Sequence, residues 1–233
     1  MATRPVLIYC ADGNPAFAHA AVKAGWLYGA RLPATVYQEV YFADQDWKNP
    51  DRARYMAALA KHRPHMATVL DLEREKQFLD VISWAEEASS HVRQVVITPK
   101  VFGTIPRIPD RIGETEVILG YSVPTAYGGT PIPLWEFERR PIHLLGGSPQ
   151  AQMELASYLN VVSVDGNMTH QQAHRCRTWQ RIRGTKGHWV QLSELGDQRT
   201  TGANLEAFRL SLKEIKSAWE KRVVGQQCVD HRA

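Results

Sequence analysis

The chain has 233 residues, 44% of them hydrophobic, which suits a single domain spanning residues 1–233 with a sizeable buried core. The 28 Lys and Arg outweigh the 24 Asp and Glu by a net charge of +4, so the strongly charged, weakly hydrophobic composition of a disordered chain is excluded. No apolar run approaches the roughly 18 residues of a membrane span, which argues against a membrane partner.

The apolar run Val6–Cys10 is too short for a cleavable leader, and Cys10, Cys176 and Cys228 form no CxxC pair. A reducing, cytoplasmic setting is expected. Val6–Cys10 reads as a buried strand. Asn14 and Pro15 then supply an N-cap and first helical residue for a helix to Ala24, which Gly25 stops. Trp26–Tyr28 reads as a weak second strand and Val40–Asp44 as a third. A helix follows from Pro50 to about His62.

Met66–Asp71 is the predicted fourth strand. The segment from Glu73 to Ala88 places Phe78, Ile82 and Ala85 on one helical face. Gln94–Thr98, Glu116–Gly120 and Ile142–Leu145 are the fifth to seventh strands. Ser148 and Pro149 open a helix to Leu159, and Val161–Asp165 is the eighth strand. A last helix, Asn204 to Arg222, carries Leu205, Phe208, Leu212, Ile215 and Trp219 on one stripe.

Strands separated by helical patterns pair in parallel through crossovers, and eight such units predict a (β/α)8 TIM-type barrel with a C-terminal helix. The stretches 28–40 and 100–116 lack good helices, so the barrel is expected to be irregular. An open doubly wound sheet is the competing architecture. Neither GxGxxG nor GxxxxGK[ST] occurs, so a nucleotide cofactor is not expected.

Asp44, Asp71 and Asp165 each close a predicted strand. In a barrel such ends converge on one rim, where carboxylates can do chemistry. Each could equally cap the following turn. Arg175, Arg177, Arg181, Arg183 and Lys186 form a basic run without an acid among them. That run suits nucleic acid phosphates or a solvated helix face. Tyr41, Trp47, Phe102, Tyr121 and Tyr127 are candidates for an aromatic rim.

The segment Pro141-Ile-His-Leu-Leu-Gly-Gly-Ser-Pro149, a helix and then Val161-Val-Ser-Val-Asp-Gly-Asn167 resembles the end of the barrel in tRNA-guanine transglycosylases. It is still more similar to the related enzymes that insert 7-deazaguanine bases into phage and bacterial DNA. The likeness is good over about residues 141–167, moderate over 40–71 and thin elsewhere. It implies that Asp165 is a nucleophile forming a covalent glycosyl intermediate. Asp44 matches the first Asp of the family's Asp-Ser-Gly, although Gln45 and Asp46 follow it here. The likeness further implies that Asp71, Gly120 and Tyr121 contact the base, with His143, Gly146 and Gly147 shaping its pocket.

The activity so implied is replacement of guanine, in DNA, by a 7-deazaguanine such as preQ0. A nucleoside or glycoside hydrolase, and a catalytically silent DNA-binding barrel, are the alternatives. The tRNA enzymes also carry a structural zinc held by closely spaced Cys and His. This chain offers His170, His174, Cys176 and His188 but no CxC or CxxC, so no cofactor is expected.

Overall fold

The computed structural model describes residues 4–11, 14–126, 128–181, 185–192 and 201–230, with side chains omitted for 201 and 223–230. Eight parallel strands close into a barrel: β1 (Val6–Cys10), β2 (Leu27–Leu32), β3 (Phe42–Gln45), β4 (Met66–Thr68), β5 (Gln94–Ile97), β7 (Thr115–Ser122), β8 (Ile142–Leu145) and β9 (Val161–Gly166). Closure comes from β5 pairing with β7 and β1 pairing with β9. The short β6 (Arg111–Ile112) runs antiparallel beside β7. The open-sheet alternative is thereby removed.

Period-two alternation gives the barrel two separate apolar layers. Ile8, Phe42, Met66, Val96 and Ile118 fill the lumen as one cluster, each no more than 1% exposed. Their neighbours Leu7, Ala43, Ala67, Val95 and Val117 point outwards into the larger core beneath the helices.

Five helices stand where the hydrophobic pattern predicts them. In α1 (Pro15–Lys23) Asn14 Oδ1 accepts from the Ala16 amide at 3.0 Å, and Pro15 occupies the first turn. In α2 (Arg52–His62) the cap is Asp51, one residue beyond the expected Pro50, accepting from Arg54 N. A 3-10 turn at Glu75–Gln77 precedes α3 (Phe78–Ser89). Ser148 caps α4 (Pro149–Leu155) through Ala151 N. Each such cap contributes about 1 kcal/mol. The terminal α6 (Thr201–Asp230) outruns its predicted bounds at both ends.

Several boundaries differ from the sequence reading. The weak second strand is six residues long and extends to Leu32. The fourth ends at Thr68, so Asp71 lies in the following loop rather than on the strand. Leu72 restores the pairing there by bridging Pro99.

The basic run does not form a helix face. After α5 (Met168–Ala173) the chain makes an antiparallel hairpin, β10 (Arg177–Gln180) with β11 (His188–Gln191). Trp179, only 1% exposed, anchors this hairpin in the main core, and its backbone amide donates to Ser211 Oγ on α6. Among the described residues no helix is long and apolar enough to cross a membrane.

Candidate active site

The C-terminal ends of the strands open into a cleft of about 610 Å³, and Asp44, Asp71 and Asp165 all line it. Cys10, Thr68, Lys100, Ser122, Gly146 and Gly147 complete its inner wall. Carboxylates from three different elements thus meet in one cavity, because parallel strands of a barrel all finish on the same side.

Asp165 is the most firmly held. It is 9% exposed, and its Oδ1 accepts from the Gly146 amide at 3.1 Å. Gly146 and Gly147 both adopt positive φ, 65° and 78°, a conformation that glycine takes without steric cost. At Gly147 a Cβ would also lie 2.3 Å from Val123 Cγ1, so the turn has room for no side chain. Gln152 Nε2 donates to the carbonyls of both Gly146 and Asp165 at 2.7 Å, tying the β8 and β9 ends together. On the lumen side, His143 Nε2 stands 3.4 Å from Asp165 Oδ1. Among the described residues none hydrogen-bonds Asp165 Oδ2.

Asp44 accepts at Oδ1 from Thr68 Oγ1 at 3.0 Å. The same hydroxyl accepts from the Gln45 amide at 2.9 Å, which fixes its proton towards the carboxylate. Burial pushes the Asp44 carboxyl up to about 7; the Asp165 and Asp71 charges add to this, while Thr68 and Arg31 pull the other way. A carboxyl poised there exchanges a proton readily near neutral pH.

Asp71 is paired with Lys100, Oδ2 to Nζ at 2.7 Å, and Lys100 also reaches Glu73 Oε1 at 3.5 Å. Burial raises the Asp71 carboxyl and outweighs the pull of the ammonium. For Lys100, burial pulls downwards, but the Asp71 and Glu73 carboxylates leave its pKa raised. The pair thus puts an ammonium and a carboxyl side by side on the cleft lining.

Other expected site residues sit elsewhere. Gly120 faces the lumen below the cleft, where a Cβ would lie 2.3 Å from Thr98 Oγ1; its role is close packing of strands. Tyr121 is 5% exposed and turned into the outer core, edge-on to Phe137 at 5.2 Å. Ser122 and Val123, farther along the same segment, line the cleft instead. His143 is wholly buried and reaches the site only through Asp165.

Of the aromatic candidates, Trp47 lines the cleft and is 57% exposed. Phe102, two residues beyond Lys100, stands edge-on to the equally exposed Trp135 at 5.7 Å. Tyr41 lies at the opposite end of the barrel, stacked on His65. Tyr127 and Arg183 lie outside the described residues. Arg175, Arg177 and Arg181 are exposed on and beside the hairpin. Lys186 is bonded to Glu154 on α4 at 2.7 Å, and the adjacent Gly187 amide donates to Gln150. Lys186 and Gly187, just before β11, are thus held against the helix that leaves the Gly146–Gly147 turn.

His170 and His174 share a face of α5 and its C-cap, with their Nε2 atoms 2.7 Å apart. Among the described residues no three His, Cys, Asp or Glu are grouped to hold a metal ion. Sequence reasoning missed Lys100, Thr68, Cys10 and Ser122. The signal available is position: each lies at or just past a strand end, as the three aspartates do.

A family model described as a family of unknown function, DUF6610, matches residues 21–220, a stretch that contains all three aspartates, Lys100 and the basic run. No curated protein matches the chain.

Proposed function

The chain belongs to the DUF6610 family, whose description assigns no function. From its cleft we propose that it is a base-exchange enzyme, a pentosyltransferase of the guanine transglycosylase type. It replaces guanine in a nucleic acid, DNA in this reading, with a 7-deazaguanine such as preQ0, and works in the cytoplasm. The observation that carries this is the cleft itself: a clamped Asp165 with one unengaged oxygen, beside an Asp44 whose carboxyl is held up to about 7. The residue pattern at 141–167 that resembles DNA transglycosylases supports the same reading.

The arrangement suggests the following steps. Asp165 Oδ2 attacks C1′ as the C1′–N9 bond of guanine breaks, giving a glycosyl ester on the enzyme. The electron pair goes to the leaving base, which takes the proton of the neutral Asp44 carboxyl. The incoming 7-deazaguanine gives its ring N–H proton to the Asp44 carboxylate, attacks C1′ and frees Asp165. Asp44 ends protonated, as it began, so protons balance over the cycle. Such proton transfer typically contributes about 10²–10⁴-fold.

Asp71 accepts from the N–H edge of a guanine-like base, and the Lys100 ammonium favours the ionised acid against the effect of burial. A base without those donors would take water from that carboxylate without replacing its hydrogen bonds. The target must leave the helical stack to reach the cleft, where Trp47 offers stacking surface, and the exposed Phe102–Trp135 pair starts two residues beyond Lys100 of the lining. Arg175, Arg177 and Arg181, with Arg183, supply cations for the backbone.

A hydrolase acting on nucleosides or glycosides is the second reading, favoured by the same Asp44–Asp165 pairing, which would serve water as well as a base. The two separate in one assay. DNA carrying labelled guanine is incubated with the protein, with and without preQ0. Release that depends on preQ0, with preQ0 entering the DNA, supports exchange; release without any incoming base supports hydrolysis. No release in either arm sinks both.

A further inference from the structure

A second cavity, of about 790 Å³, lies at the opposite end of the barrel from the carboxylates. It falls within the size range of small-molecule sites. Tyr41 and His65 stack face to face in one wall, their ring centroids 4.7 Å apart and their planes within 9° of parallel. Burial, and then the neighbouring Arg93, lower the His65 pKa, so at neutral pH this stacked pair is uncharged.

The charges facing the cavity are unequal. Arg63 and Arg93 line it, and neither has an ion-pair partner among the described residues. Against them stand Glu39 on the lining and Glu116 near His65, the latter already engaged by Gln94 Nε2 at 2.8 Å. Guanidinium forks match phosphate oxygens, and a lone carboxylate accepts from ring N–H or hydroxyl groups.

This end cannot share substrate with the cleft. Ile8, Phe42, Met66, Val96 and Ile118 plug the lumen between the two, each no more than 1% exposed. Yet the ends are mechanically joined. Tyr41 precedes Asp44 by three residues, His65 precedes Thr68 by three, and Met66 N donates to Tyr41 O at 2.9 Å.

We infer that this cavity is a second binding site, for a small phosphomonoester carrying a flat ring, of the nucleoside monophosphate kind. Arg63 and Arg93 take the phosphate, the Tyr41–His65 wall takes the ring, and Glu39 accepts from its donors. The site is distinct from the proposed catalytic one and does not depend on that assignment.

Calorimetric titration of the full chain with AMP, adenosine and inorganic phosphate tests it. AMP binds saturably, and adenosine, lacking the phosphate, binds at least about tenfold more weakly. Arg93→Glu, and Arg63→Asn (chosen because asparagine tolerates the φ of 44° at this position), each weaken AMP by about tenfold or more, whereas Asp165→Asn does not. Absence of saturable AMP binding overturns the inference, as does equal binding of adenosine. So does binding that survives both arginine changes or is lost in Asp165→Asn. The ligand comparison needs no variant, so a misfolded mutant leaves the result decisive.

Discussion

His143 Nε2 lies 3.4 Å from Asp165 Oδ1 without reaching hydrogen-bond alignment, while its Nδ1 is 2.8 Å from Ser163 Oγ. Both His143 and Ser163 are buried in the lumen, so this contact approaches the carboxylate from behind, opposite the cleft. The imidazole is a positioning residue: it braces Asp165 rather than meeting a substrate. His143→Ala strands the Ser163 hydroxyl and opens a cavity, costing about 2–4 kcal/mol of stability. In the folded fraction kcat falls about tenfold while KM holds, the size of one lost interaction of ~1.4 kcal/mol. His143→Gln, which can still bond Ser163, recovers part of the stability. Urea unfolding and steady-state rates on the three proteins check this.

Asp44 predicts a pH dependence of stability whose sign follows from its raised carboxyl. The folded state holds the Asp44 proton up to about pH 7, whereas an unfolded aspartate releases it near 3.8. Between those values the native state binds more protons, so its advantage is full below about pH 4 and is lost as pH rises to 7. The amplitude is of order a few kcal/mol. Asp44→Asn removes the titration, giving a flatter profile and greater stability than wild type at pH 8. Denaturant midpoints across this range measure both.

The Asp71–Lys100 pair predicts non-additivity. Each side chain is about one-fifth exposed, so solvent weakens the pair without dissolving it. Lys100→Met leaves Asp71 facing the cleft alone and pushes its carboxyl higher still. Asp71→Asn with Lys100→Met is therefore less destabilising than the two single changes summed, by about 1 kcal/mol. A double-mutant cycle in urea measures the coupling; strict additivity would mean that solvent screens the contact fully.

Much of this architecture was legible from sequence, because strands buried on both faces, such as Gln94–Ile97, are short apolar runs set between longer amphipathic segments. Asn14, Ser148 and Gly25 likewise marked helix ends by local chemistry alone. The hairpin at 177–191 was not legible. Its strands, Arg-Thr-Trp-Gln and His-Trp-Val-Gln, are short and exposed at both ends, and the packing of Trp179 in the core with its amide bonded to Ser211 of the distant α6 is a tertiary contact. Asp44 and Asp165 were found because strand ends converge. Lys100 was not, since its pairing with Asp71 is a crossing between two loops. Tyr121 was misplaced for the simplest reason: one step along a strand reverses the face.

The exposed arginines predict salt-dependent binding to DNA. Changing Arg175, Arg177 and Arg181 together to Ala weakens affinity and reduces the slope of log K against log salt by up to about 2.7, three phosphate contacts at roughly 0.9 each. Lys186→Ala changes the slope less, because that ammonium already holds Glu154. Fluorescence anisotropy over a range of salt concentrations reports both slopes.

The covalent role of Asp165 is tested most directly by mass. The protein is mixed with a guanine-containing DNA oligonucleotide in the absence of any incoming base, denatured, and its intact mass recorded. The account predicts a fraction shifted by the mass of the oligonucleotide lacking one guanine, mapped by digestion to the peptide bearing Asp165 and absent from Asp165→Asn. An adduct that persists in Asp165→Asn, or turnover of DNA by that variant at the wild-type rate, would contradict it.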